Sequence, residues 1–176
     1  TAELKTLRAD HAAGQLNPRD LKLRMAHELA ERFAGKSAAD AAAQDPDPAD
    51  ADLVSITEQA MWHGIAAIAV GERLNAIGGA IEDFVAGRYG LVEEYGGHGI
   101  GTAMHQDPHV LNYRTRERGP KLRAGICLAI EPMLTGGDAA TRVLADEWTV
   151  VTRDGRRAAH WEHSVAVTEA GTCVLT

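Results

Sequence analysis

The stretch that most constrains the fold is GICLAIEPML, residues 125–134. It is an apolar run of strand length that Pro132 ends, and such a run belongs inside a sheet. Glu131 follows it directly. A carboxylate carried into an apolar interior is costly unless it is paired or bound to a cation. The fold must therefore bring a partner to the end of this strand.

Two further polar residues interrupt apolar or glycine-rich stretches. Glu162 enters a strand-like segment in AAHWEHSVAV, and His98 stands among glycines in GGHGIG. Missing side chains on either side let other groups approach closely. One histidine and two glutamates from separate strands form a set of nitrogen and oxygen donors suited to Zn, Mn, Co or Fe(II). Each residue alone also fits a plainer role: a buried glutamate can be a structural hydrogen-bonding group, and a histidine among glycines a turn residue. His160 and Glu162 share one face of a strand, with His163 on the other. His160 then reads as a partner of a ligand or as a solvated strand residue. His11, His27, His63 and His109 read as surface, packing or loop residues.

The chain has 176 residues and the texture of two parts. Residues 1–43 read as a helical hairpin. Leu4, Leu7 and Ala12 share a face before Gly14. Asn17, Pro18 and Asp20 then open a helix with a Leu21, Met25, Leu29, Phe33 stripe, which stops at Gly35. Residues 44–52, QDPDPADAD, read as an acidic linker in which each proline pushes its predecessor out of the helical region. Beyond it, Ser55 and Glu58 form a capping-box pattern at the head of a helix. Leu74, Ile77, Ile81 and Phe84 mark a second helix. From Val92 onward the texture is strands and turns. WTVVTRDGRRAAHWEHSVAVT reads as a hairpin around RDGR, and CVLT as a last strand. The class is α+β, two helices and a mostly antiparallel sheet.

Composition excludes several functions. Aromatics are 5% against 45% hydrophobic residues, so the core is aliphatic. A formal charge of −7 argues against nucleic acid or an anionic membrane as a partner. No apolar run approaches the roughly 20 residues that span a bilayer. Cys127 and Cys173 both sit in apolar runs and read as small core residues, as fits a reducing cytosol. The expected location is cytoplasmic.

GGHGIGTAMHQDP, LRAGICLAIEPML, DEWTVVTRDG and HWEHSVAVTEAG, in that order, resemble the methionine aminopeptidases of the bacterial type. The similarity runs from about residue 53 to residue 176. It implies the carboxyl-terminal half of a pita-bread fold, a metalloprotease and hydrolase that removes the initiator methionine from nascent chains. By the same resemblance His98, Glu131 and Glu162 fall on metal ligands, with Glu162 bridging two ions. His105 falls on a catalytic, substrate-contacting histidine, and Glu131 also takes the proton-relay role. Trp148 lines the methionine pocket, and Met104 stands where the family usually has an aromatic.

The family's amino-terminal half carries two aspartate ligands, another catalytic histidine and much of that pocket. Asp10, Asp20, Asp40, Asp45, Asp47, Asp50 and Asp52 lie in helical or linker patterns and match none of these. The expectation is a truncated, impaired member that holds at most one Co, Mn, Fe or Zn ion. Its partners would be amino-terminal peptides, or a second copy through an uncovered face. The alternative is a non-catalytic half-domain that serves as a protein-interaction module.

Overall fold

The computed structural model describes residues 47–176. The helical hairpin expected over residues 1–43 lies outside them. Helix α1, Pro48–Ala66, begins where Asp47 caps it, the carboxylate accepting the Ala49 N–H at 2.9 Å. Pro48 takes the first helical position, where its fixed φ suits the helix and its missing N–H costs nothing. Pro48–Asp52 are thus helical, which corrects their assignment to a linker. Ser55 is inside the helix and not its cap, and its hydroxyl accepts from Gln59 Nε2 at 3.1 Å.

Helix α2, Asn75–Val85, buries Ile77 and Ile81 and ends at Ala86 in the left-handed region, φ 49°. The second helix is as expected from its stripe, though Phe84 is only partly buried.

Ten strands follow: β1 Gly90–Leu91, β2 Gly97–Ile100, β3 Gln106–Val110, β4 Cys127–Ile130, β5 Met133–Thr135, β6 Thr141–Val143, β7 Val150–Thr152, β8 Ala158–His160, β9 His163–Thr168 and β10 Gly171–Val174. They pair antiparallel into a five-stranded sheet β10-β9-β4-β2-β3, a three-stranded sheet β1-β5-β8 and the ribbon β6-β7. Met61, Ile77 and Ile81 from the helices meet Leu128, Ile130, Leu134, Val165 and Val167 from the strands in one buried cluster. Full burial of each such side chain stabilises the fold by roughly 1.5–3 kcal/mol.

Two further expectations need correction. The segments around RDGR do not pair with each other: β7 pairs with β6, while β8 pairs with β5 and β9 with β4 and β10. The turn is present, with Arg156 N–H donating to Asp154 Oδ1 at 3.0 Å, but its arms leave for different sheets. Asp154 accepts this N–H and that of Asp138, which holds its carboxyl below the usual range. Cys173 is exposed and not a core residue, because β10 is an edge strand.

Candidate metal centre

The apolar run of β4 stops at Ile130, and Glu131–Pro132 is a break before the chain resumes as β5. Glu131 therefore stands at the seam between the five-stranded and three-stranded sheets. In the β4–β9 register Ile130 faces His163, so the next residue outward on β4 and the one preceding β9 are Glu131 and Glu162. On the other side of β4, Gly99 faces Leu128, and the antiparallel run carries His98 toward the same end. One ligand atom from each of His98, Glu131 and Glu162 lies within 4.8 Å of the others. His98 Nε2 is 3.5 Å from Glu131 Oε1, and both side chains are largely buried.

The glycines around His98 have a steric reason. A Cβ on Gly97 would run into the Ala129 carbonyl, and one on Gly99 into the Asp107 carbonyl. Neither glycine has positive φ. What they supply is space, so that β4 and β3 can close on β2. His98 Nδ1 lies 2.9 Å from the Gly99 carbonyl oxygen. A proton on Nδ1 makes this a hydrogen bond and leaves Nε2 as the electron-pair donor toward the carboxylates, the tautomer a metal ligand needs.

The donor set fits a divalent cation. Two carboxylates brought this close repel each other unless a positive charge lies between them. Imidazole and carboxylate donors suit Zn, Mn, Co and Fe(II), and three protein donors plus water can hold a catalytic ion.

The remaining sequence-selected residues divide. His105 reaches the cluster, its ring centroid 4.4 Å from that of His98. His160 also reaches it, with Nε2 3.5 Å from Glu131 Oε2. Met104 and Trp148 are exposed, by 72% and 86%. Trp148 sits on a turn built by Asp146, whose carboxylate accepts the N–H groups of Trp148 and Thr149 at 3.1 and 2.9 Å. The Thr149 hydroxyl also donates to Asp146, and these bonds hold the Asp146 carboxyl below the usual range. Asp50 and Asp52 on α1 face other groups, Arg157 at 3.7 Å and the Tyr89 hydroxyl. His63 stacks on Phe84 with centroids 4.2 Å apart, and His163 meets the edge of Trp62.

Sequence reasoning missed Asn112. Its side chain is fully buried, and its Nδ2 donates to the main-chain carbonyl of Glu131 at 3.1 Å. Its Oδ1 is buried without a partner. The only signal was a polar residue closing the apolar stretch HVLNY. Asn112→Ala is expected to leave the Glu131 carbonyl without this donor and destabilise the chain by about 1–3 kcal/mol. Urea denaturation would show the midpoint falling with an unchanged slope.

Comparison with known proteins follows the same residues. The model of metallopeptidase family M24 matches residues 10–169. Methionine aminopeptidase 1 of Mycobacterium tuberculosis is 52% identical over 135 residues, covering 73% of this chain and 51% of that protein. Methionine aminopeptidase 1 of Bacillus subtilis is 43% identical over 128 residues, covering 72% and 52%. The crystal structure of methionine aminopeptidase from Rickettsia prowazekii superposes with a TM-score of 0.71 at 36% identity, over 74% of this chain and 53% of that one. The chain spans about half the length of the curated relatives it matches.

Proposed function

The chain belongs to metallopeptidase family M24, and from that premise we propose that it serves methionine aminopeptidase chemistry, the removal of an amino-terminal methionine from nascent proteins. The observation that carries the reading is the convergence of His98, Glu131 and Glu162 to within 4.8 Å from three separate strand ends. Membership of the family implies a divalent metal. His98, Glu131 and Glu162 are the residues that would hold it. When bound, the ion would lower the pKa of a water and polarise the scissile carbonyl.

The chain's own groups supply the rest. Glu131 takes a proton from the attacking water and passes it toward the leaving amine. His105 reaches the scissile amide and steadies the charge that develops on it. Met104 and Trp148 offer apolar surface to the methionine side chain. A cytoplasmic setting, where nascent chains emerge, accords with this reading. Among the described residues no helix is long and apolar enough to cross a membrane.

The test is direct. The full chain is loaded anaerobically with Co(II), Mn(II) or Fe(II) and given a Met-Ala-Ser peptide. Release of methionine, in proportion to bound ion, is the expected result. Absence of both bound ion and turnover would overturn the proposal.

A second reading has its own support. Trp62 is 42% exposed, besides the more exposed Met104 and Trp148, and such surface suits a partner protein or a second copy of the chain. In this reading the half-domain is a non-catalytic interaction module. The peptide assay above separates it from the first, since a module releases no methionine, and a clean monomer by light scattering at high concentration excludes its self-associating form.

A further inference from the structure

Glu131 stands on a stretch of chain that neither neighbouring strand pairs with. The β4–β9 register ends at the Ile130–His163 pair, and the β2–β4 register at Gly99–Leu128. β5 begins only at Met133. What reaches the Glu131 main chain is a side chain: Asn112 Nδ2 donates to its carbonyl at 3.1 Å.

Asn112 is held from the other side. Helix α2 lies directly on the main chain around it, so that a Cβ on Gly78 would run into the carbonyls of Leu111 and Tyr113. The Glu82 carboxylate accepts the main-chain N–H of Arg114, and Asn75 Nδ2 donates to the Thr115 carbonyl at 3.3 Å. Residues 111–115 are thus pinned along α2, and the Asn112 amide spans from there to Glu131.

An amide is a poor choice here for packing alone. Asn112 is fully buried, and its Oδ1 has no partner among the described residues. A buried acceptor left unmade costs stability that an apolar side chain of similar shape would not cost. What asparagine adds over leucine at this position is the Nδ2 bond. We propose that Asn112 is a positioning residue for the metal centre. By fixing the Glu131 peptide it sets the Glu131 carboxylate opposite His98 Nε2, 3.5 Å away, and ties that carboxylate to helix α2. This rests on the metal-site reading above. Partners that orient a ligand in this way carry about 10–100-fold in ion affinity.

Co(II) titration of the full chain, read by absorption, tests it, each protein being kept at a temperature where its metal-free form is folded. Asn112→Ala and Asn112→Leu are expected to bind about 10–100-fold more weakly than wild type, with an altered spectrum of the bound ion. Asn112→Leu fills the space and should melt no lower than Asn112→Ala, so affinity and stability part ways. Val85→Ala, a buried change at the far end of α2, should lower the melting temperature and leave affinity and spectrum as in wild type. If both Asn112 variants bind as wild type does, the proposal is overturned and the metal site stands. If Val85→Ala loses as much affinity as they do, the effect is one of stability and the proposal is likewise overturned. If wild type binds no ion, both this proposal and the metal-site reading fall.

Wild type alone gives a second readout that does not depend on the variants folding. The side-chain amide protons of Asn112 are expected to exchange slowly with solvent in nuclear magnetic resonance, and their signals to shift when Zn(II) binds. Rapid exchange, or no shift at saturating Zn(II), overturns the tie between Asn112 and the site.

Discussion

His98→Ala is expected to abolish tight divalent-ion binding and, if the proposed function holds, methionine release with it: that is the largest functional effect expected of any single substitution in this chain. The cluster has one nitrogen donor and two carboxylates within 4.8 Å. Removing the imidazole leaves two anions and no neutral donor at the inner position. Loss of a group that merely orients a ligand costs 10–100-fold in affinity. Loss of the ligand itself should reach at least the upper end, about a hundredfold or more. The fold should survive, because the buried apolar cluster does not include His98. The measurement is Co(II) affinity by absorption together with a metal-free thermal melt. His63→Ala is the control: its ring stacks on Phe84, outside the cluster, and ion affinity should be unchanged. Equal affinity in His98→Ala and wild type would remove His98 from the site.

How much of this was legible before any coordinates can be argued residue by residue. Glu131 was, because an apolar run ending in a carboxylate poses an energetic problem that only a partner resolves. The antiparallel character and the two helices were also legible, since both rest on local periodicity. Strand partners were not. RDGR has turn chemistry, but turn chemistry cannot say whether the arms pair with each other or with distant strands, and β5 and β6 took them. The start of α1 was misread because Pro48 is both a breaker for its predecessor and a good first helical residue. Asp47 decided between these by accepting the Ala49 N–H. Asn112 was missed for a different reason. Its donor reaches a carbonyl nineteen positions away, at Glu131, and no local pattern encodes such a bond. His105 and Trp148 were both singled out by resemblance alone; the structure stands the His105 ring beside that of His98 and leaves Trp148 exposed.

Gly97→Val is expected to unfold the chain or bring it to the edge of unfolding, the largest effect on stability. β2 lies between β4 and β3. Any Cβ on Gly97 would stand closer than 3.0 Å to the Ala129 carbonyl, and Val110 crowds the same space. The obstructing atom is backbone, and Ala129 and Val110 are both fully buried, so nothing can swing aside. Overpacking a core costs about 1–3 kcal/mol when side chains can adjust. Here the β2–β4 spacing itself must open, so the cost should exceed about 3 kcal/mol, a large part of a total stability of roughly 5–15 kcal/mol. Gly101→Ala provides the contrast. The atoms nearest its Cβ all belong to the Gln106 side chain, which is exposed and can rotate away, and the change should stay within about 1 kcal/mol. Chemical denaturation of the two variants decides the matter. Similar midpoints would mean that the glycines flanking His98 do not set the strand spacing. A much lower midpoint for Gly97→Val would mean that the same closeness of β2 to β4 which brings His98 to Glu131 is maintained by the absence of a side chain at Gly97.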